Sequence, residues 1–230
     1  MTRGRTATAA ALLAGSLLAG SLLAGCQAAT SAPVVRPTVG GTAGRSPAAV
    51  ATGPAAAQLA DLTIKGRAPM TGYSRAQFGP AWPKLGGCDS RNVVLRRDLR
   101  TTVLRAGGCV VLTGTLVSPY TKSVIHFVRG PLSAQAQIDH VVALGDAWQT
   151  GAQGWTKQKR EAFANDPLEL LAVDGPSNEA KGDSDAASWL PPNKAFRCAY
   201  GQLQVRVKAK YGLWVTQAEH DALGRLVNLC

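Results

Sequence analysis

Four cysteines in the carboxy-terminal two-thirds of the chain constrain its fold more than any other feature. They are Cys88, Cys109, Cys198 and Cys230. Because the amino terminus carries an export signal, these thiols meet an oxidising compartment, where disulfides form and persist. An even count predicts two bridges, and of the three pairings we favour Cys88 with Cys109 and Cys198 with Cys230, because each pair encloses one local unit. The sequence has no Cys-x-x-Cys pair and only three histidines, so disulfides rather than structural zinc are expected to brace the fold.

The amino-terminal segment resembles a bacterial lipoprotein signal. Arg3 and Arg5 precede a run of small apolar residues over 7–24, and Leu23-Ala24-Gly25-Cys26 has the pattern of a lipobox. The resemblance implies a signal peptide over residues 1–25 and lipidation of Cys26. The folded part would then lie outside the cytoplasm, anchored to the outer face of the cell membrane or secreted. An uncleaved anchor helix is the alternative, since the run is nearly long enough to span a bilayer, but its Gly, Ser and Ala content argues against it.

Composition divides the rest of the chain into a linker and one folded unit. Residues 27–60 contain mainly Ala, Pro, Thr, Gly, Ser and Val, which supply too few large apolar side chains for a core. We therefore predict a flexible linker over residues 26–72, after lipidated Cys26, and a single domain over residues 73–230. The net charge of +11 fits a polyanionic partner such as nucleic acid, although many basic surfaces have no specific ligand.

The predicted domain mixes short strands with helices, which indicates an α+β fold. A helix is predicted over 89–100, capped by Asp89 or Ser90 and stopped by Gly107-Gly108. Strands are predicted over 109–117, 123–128, 138–144 and 168–173. Further helices are predicted over 157–164 after the N-cap Thr156, from Gly175 onward, over 193–211, and after the capping box Thr216-Gln-Ala-Glu219. Asp139 and His140 then lie where a strand gives way to a helix.

Three motifs together resemble the HNH, or ββα-metal, nuclease family. They are Ile138-Asp-His-Val-Val-Ala-Leu, Phe163-Ala-Asn-Asp-Pro-Leu-Glu-Leu-Leu and Asn178-x-x-Lys-Gly-Asp. With the cysteines and Trp189-Leu-Pro-Pro, the pattern is similar to the carboxy-terminal domain of GmrSD restriction endonucleases and its secreted actinobacterial lipoprotein relatives. The resemblance implies a ββα-metal hairpin core with a small antiparallel sheet and flanking helices. It also implies hydrolysis of DNA, with RNA as the alternative, leaving a 5′-phosphate and a 3′-hydroxyl.

The motif residues suit this chemistry. Phosphodiester hydrolysis needs a base that deprotonates water and a cation that neutralises charge on the phosphate oxygens. His140 is the predicted base, because a neutral imidazole is available at physiological pH. Asp139 and Asn178 offer hard oxygen ligands that suit Mg²⁺, or Mn²⁺, better than zinc. Taken singly, His140 could be an ordinary strand histidine and Asn178 a helix cap. No small-molecule cofactor is expected, and we predict a monomer.

Between His140 and Asn178, the sequence departs from the family pattern at one position. The family has a middle Asn that braces the loop carrying the base, and the spacing back from Asn178 puts Glu169 at that point. Three alternatives stay open: Asn165 takes the role, Glu169 orients His140 through a hydrogen bond, or the site is impaired.

Three cations are candidate phosphate contacts. They are Lys181, Arg160 and Arg129, since a positive charge near the scissile bond attracts the phosphate. Taken alone, Lys181 and Arg160 are more typical of a solvated surface. A catalytically silent lipoprotein that binds DNA or an anionic cell-wall polymer is the rival hypothesis, and Glu169 gives it support. A serine or cysteine hydrolase is discounted, since the sequence has no Gly-x-Ser-x-Gly and its cysteines are predicted to be paired.

Overall fold

The computed structural model describes residues 54–230. Cys26 and the predicted signal peptide lie outside the described residues. Within the described range, no helix is both long and apolar enough to cross a membrane.

Short strands and helices alternate along the described part of the chain. The helices are α1 (Pro54–Ala60), α2 (Ser90–Asp98), α3 (Leu144–Gln149), α4 (Lys157–Ala164), α5 (Gly175–Lys181), α6 (Arg197–Tyr211) and α7 (Gln217–Val227). The strands are β1 (Lys84–Leu85), β2 (Cys88–Asp89), β3 (Arg100–Leu104), β4 (Val111–Val117), β5 (Val124–Val128), β6 (Ala136–His140) and β7 (Leu170–Asp174). Short 3₁₀ turns lie at Arg75–Phe78, Ser133–Gln135, Ala152–Gly154 and Lys194–Phe196. Within residues 54–230 the strands form the sheets β1-β2, β3-β4-β5 and β6-β7, which confirms the predicted α+β class.

The β6–β7 pair and α5 form a ββα unit that carries the predicted motifs. The two strands are antiparallel, with Asp139 opposite Leu171 and His140 opposite Leu170. The chain turns from β7 directly into α5, where the Asp174 side chain accepts a hydrogen bond from a backbone N–H of the first turn. Asn178 therefore lies inside α5, and its interpretation as a helix cap is wrong.

The three-stranded sheet packs beside α2 and differs from the prediction in one element. Strands β4 and β5 were predicted, but β3 was not. The Asp89 side chain caps α2 as expected, yet the helix ends at Asp98, because the following Thr-Thr-Val run favours an extended backbone. Gly107 and Gly108, both at positive φ, make the turn between β3 and β4 instead of stopping the helix.

Residues 54–72 pack against the rest of the described unit, although composition placed them in the linker. Alanine is the strongest helix former, and Pro54 occupies the first turn of α1. Leu59 and Leu62 join the core cluster that contains Leu223 of α7. The segment over 63–68, called the strap below, then runs beside Val215, exchanging backbone hydrogen bonds of 2.9 and 3.0 Å. The folded unit of the structure therefore includes residues before 73.

Both predicted disulfides are confirmed. Cys88 is bonded to Cys109 and Cys198 to Cys230. The first bridge links β2 to the start of β4 across α2 and β3, and the second ties α6 to the residues after α7. Each bridge of this kind stabilises a domain by about 2–4 kcal/mol.

A buried group of charges joins α3, α6 and α7. The Lys208 ammonium lies 2.7 Å from the Asp146 carboxylate and 2.8 Å from the Glu219 carboxylate. Burial alone would lower the pKa of Lys208, but the two carboxylates outweigh it and raise that pKa. Burial raises the pKa of Glu219 to about 7. The predicted capping box is therefore half formed: the Thr216 hydroxyl caps α7, whereas Glu219 turns into the core.

Candidate active site

Two cavities share His140 and Arg75 in their walls. The polar cavity has a volume of about 350 Å³, and the aromatic cavity has a volume of about 360 Å³. Residues that line the polar cavity include Tyr73, Asp139, Asn178 and Asp183. Residues that line the aromatic cavity include Phe78, Pro80, Trp82, Leu144 and Asn165. The end of the ββα hairpin thus lies between a polar and an apolar space.

A single backbone contact fixes the imidazole of His140. Its Nε2 atom lies 3.0 Å from the carbonyl oxygen of Ala164, the last residue of α4. Because a carbonyl only accepts, Nε2 carries the proton and Nδ1 of the neutral ring keeps a free lone pair. Burial lowers the pKa of His140 to about 3, so the ring is neutral at physiological pH. A neutral histidine with one unprotonated nitrogen is the form that can act as a general base.

Asp139 is buried and held at both carboxylate oxygens. Lys181 of α5 donates to Oδ1 at 2.9 Å, and the Tyr120 hydroxyl donates to Oδ2. Lys181 also donates to the His140 carbonyl at 2.7 Å, so one ammonium joins α5 to the end of β6. Burial raises the pKa of Asp139, and the Lys181 charge opposes that rise. Each oxygen keeps a second lone pair for a further ligand.

Two more oxygen groups border the polar cavity. Asn178 donates from its amide nitrogen to Gln137 at 2.8 Å, which orients the side chain, and its amide oxygen accepts no hydrogen bond from any residue in 54–230. Asp183 is exposed, and one of its carboxylate oxygens accepts from the Gly145 amide at 3.2 Å. A side chain at Gly145 would collide with this carboxylate, since an added Cβ would lie 2.4 Å from Cγ of Asp183. The sequence motif contained Asp183, but no role was predicted for it.

Glu169 and Asn165 brace backbone rather than the imidazole. The Glu169 carbonyl accepts from the Val141 amide at 2.8 Å, and its carboxyl oxygen accepts from the Val142 amide at 3.2 Å. Burial raises the pKa of Glu169 well above its usual range. The Asn165 amide donates to the Glu161 carbonyl at 2.9 Å and holds the end of α4. Glu169 thus supports the residues after His140 and makes no hydrogen bond to the ring.

The three predicted phosphate contacts already have hydrogen-bond partners within the protein, and their contact with a phosphate stays a prediction. Lys181 is 1% exposed and is paired with Asp139. Arg160 is 9% exposed, and its guanidinium donates to the carbonyls of residues 77, 152 and 155. Arg129 donates to the Val111 carbonyl at 2.7 Å and to the Asn92 side chain at 2.6 Å. A cation whose donors are spent on buried carbonyls and carboxylates has little left for a phosphate.

Arg75 is the cation that the structure brings to the cleft. It begins the 3₁₀ turn over 75–78, is exposed, and lines both cavities. Its guanidinium makes no hydrogen bond or ion pair with another residue in the described range. Arg160 holds this turn through its hydrogen bonds to Gln77. The composition of residues 61–87 gave no signal for Arg75, because its neighbours Ser74, Ala76 and Gln77 match no motif.

The polar cavity is lined by oxygen donors of the types that bind a divalent cation. Asp139, Asn178 and Asp183 offer carboxylate and amide oxygens, which are the ligands that Mg²⁺ prefers, and His140 borders the same space. Another acidic group, formed by Asp146, Asp185 and Glu219, has ligand atoms within 4.8 Å of one another. That group is buried, and the ammonium of Lys208 already lies between two of its carboxylates. The lysine therefore provides the positive charge that a metal ion would otherwise bring.

A disulfide-braced α+β domain with a ββα unit at its cleft is the class of protein that this fold and site define. The chain belongs to the family of the carboxy-terminal domain of GmrSD restriction endonucleases, whose family model matches residues 89–226. It is also 40% identical over 175 residues to a protein of Arthroderma benhamiae described as an uncharacterized secreted protein, and the match covers 75% of this chain and 82% of that protein. No solved structure matches the chain.

Membership in this family indicates a nuclease-type function. Nucleases of this kind usually need a divalent metal, and they bind nucleic acid. The secreted relative fits a location outside the cytoplasm.

Proposed function

We propose that the protein is a metal-dependent endonuclease that hydrolyses phosphodiester bonds of DNA, or of RNA, outside the cytoplasm. The observation that carries this proposal is the geometry of His140. Its proton is held on Nε2 by the Ala164 carbonyl, its ring is neutral, and it borders the cavity that contains Asp139 and Asn178. A general base and hard oxygen ligands at one cleft are the parts that phosphodiester hydrolysis requires.

In the proposed reaction, Nδ1 of His140 accepts a proton from the attacking water. Asp139 and Asn178 would hold the divalent metal, with Asp183 on the same cavity wall. When bound, a divalent cation neutralises charge on the phosphate oxygens and on the leaving oxygen. Lys181 acts as a positioning residue, because it holds the Asp139 carboxylate and the His140 carbonyl together. The products would be a 5′-phosphate and a 3′-hydroxyl, as the family resemblance implies.

The first test is nicking of supercoiled plasmid by the purified protein with Mg²⁺, with Mn²⁺ and with a chelator. Nicking is expected with either metal and none with the chelator. Asn178→Ala should raise the metal concentration needed for half-maximal nicking by about 10-fold or more, whereas Asn228→Ala, at an exposed position after α7, should not. Plasmid binding without nicking under any metal would support the silent binding lipoprotein instead.

Arg75 is expected to contact the scissile phosphate, and its removal tests this role. Arg75→Ala should lower kcat/KM for plasmid nicking by about 10- to 100-fold, because it removes a charged donor beside the reacting phosphate. Arg100→Ala is the matched control: it removes the same charge from an exposed position on β3, outside both cavities. Equal losses in the two variants would show that Arg75 contributes only to net charge.

The proposed place of action is the outer face of the cell membrane. A signal peptide over 1–25 and lipidation of Cys26 would anchor the chain there through the linker, and release into the medium is the alternative. We expect the protein to act as a monomer with a low sequence preference, since contacts to phosphates position nucleic acid without reading its bases.

A further inference from the structure

The aromatic cavity borders His140 but supplies no group to the proposed hydrolysis. Its apolar walls include Phe78, Pro80, Trp82 and Leu144, and Asn165 adds an amide. Its volume of about 360 Å³ lies in the range of small-molecule sites, roughly 300–1,000 Å³. A cavity of this size beside the proposed reaction centre is large enough to hold part of the substrate.

We infer that the aromatic cavity binds one nucleobase of the substrate, adjacent to the phosphodiester that is cleaved beside His140. This inference rests on the proposed nuclease function and extends it to the substrate class. The preferred substrate is nucleic acid that is single-stranded or locally unpaired.

A nucleobase matches the chemistry of these walls. Its flat faces stack on an aromatic side chain such as Trp82, and this stacking tolerates every base because each has a π face. Because Arg75 and His140 line both cavities, a base in the aromatic cavity places its own phosphate at the border with the polar cavity.

The same geometry disfavours an intact duplex. Bases inside a duplex are stacked and paired, so only an extruded base can enter a pocket of this kind. Extrusion costs free energy, and the cost is smallest for a base that is already unpaired. A single strand therefore reaches the bound state more easily than the same sequence in a duplex.

The wall of the cavity is preformed. Arg160 donates to the carbonyl and to the side-chain oxygen of Gln77, which anchors the turn before the cavity. Gly79, at φ +89°, lies so close to Glu161 that a Cβ there would be 2.5 Å from Cγ of that side chain. Trp82 has φ +54°, a strained conformation for a bulky residue, and such strain clusters at ligand sites.

Binding of small ligands tests the cavity without catalysis. In the presence of a chelator, thymidine 5′-monophosphate should bind the full-length protein about 10-fold or more tightly than 2-deoxyribose 5-phosphate, measured by calorimetry. Trp82→Ala should remove this difference. Trp214→Ala, a tryptophan outside both cavities whose indole donates to the Gly66 carbonyl, should keep it. Equal affinities of the two ligands for the unaltered protein would overturn the inference.

Cleavage of one oligonucleotide as a single strand and as a duplex gives the second test. The unaltered protein should cleave the single strand about 10-fold faster, and Trp82→Ala should bring the two rates close together. If Trp82→Ala does not fold, Ala81→Phe serves instead, since Ala81 is exposed on the cavity wall and a phenyl group there would fill the space. Cleavage with no strand preference overturns the base site and leaves the nuclease proposal standing. If nucleotides bind in a base-dependent way but no metal supports cleavage, the nuclease proposal is overturned and the base site stands.

Discussion

His140→Ala is expected to lower the rate of plasmid nicking by about 10²- to 10⁴-fold, because the attacking water loses its general base. The variant should still bind plasmid, since His140 is neutral in the resting protein and adds no charge to the surface. Nicking with Mg²⁺ and a gel mobility shift with chelator measure the two quantities on the same preparation.

The matched control is His126→Ala. His126 is exposed on β5 and lines neither cavity, so its removal should leave both nicking and binding unchanged. If His140→Ala nicks at the rate of the unaltered protein, His140 is not the base. If it loses plasmid binding together with nicking, the loss of rate reports on binding and the assignment fails.

Lys208→Met is expected to lower the free energy of unfolding by about 3–5 kcal/mol, since it leaves buried Glu219 without its cation and Asp146 with only the longer contact of 3.4 Å to Arg67. Asp146 and Glu219 are 1% and 0% exposed, and water cannot replace the ammonium. Denaturant unfolding followed by circular dichroism measures the change.

Two further variants distinguish the effect of breaking the buried ion pairs of Lys208 from the effect of removing any one positive charge. Lys157→Met removes an ammonium whose side chain is 73% exposed, and it should change stability by less than about 0.5 kcal/mol. Glu219→Gln, made in the Lys208→Met background, should recover part of the loss, because it removes the buried charge that lost its partner. If Lys208→Met is as stable as Lys157→Met, the buried group contributes nothing to the fold.

The elements predicted from the sequence are those with local signals. Thr156 precedes α4 and caps it, and Pro176 lies in the first turn of α5. The β-branched runs of β4 and β5 favour strands wherever they are placed. The disulfide pairing was also predicted, because each bridge closes one local unit. In all these cases the interactions that decide the structure are local, and the widest of them, the disulfides, span 21 and 32 residues.

The cations could not be predicted because their partners are far apart in sequence. Lys181 meets Asp139 across a separation of 42 residues, and Arg160 meets Gln77 across 83. In a single sequence, a buried lysine and a solvated lysine look alike. The same limit hid Arg75, which reaches the cleft only because the turn over 75–78 packs beside α4.

Glu169 shows how a departure from a family pattern can be resolved by backbone contacts. The spacing suggested a lost asparagine and left three alternatives. The structure places the carboxyl group against the Val142 amide, where it can support the chain after His140 without touching the ring. Sequence spacing pointed to this position, but it could not distinguish a side chain that contacts the imidazole from one that contacts the next two residues.

The strap couples the earliest and latest parts of the described chain. Its backbone partner Val215 and the core partner of Leu59, Leu223, are synthesised some 150 residues after it. The packing of α1 and the pairing of the strap with Val215 therefore cannot form until α6 and α7 have been made, so this region of the core closes last, through contacts of high sequence separation. In the proposed export of the chain, this late closure would leave that region of the core open during passage across the membrane, and the domain would close on the far side, where its thiols would oxidise.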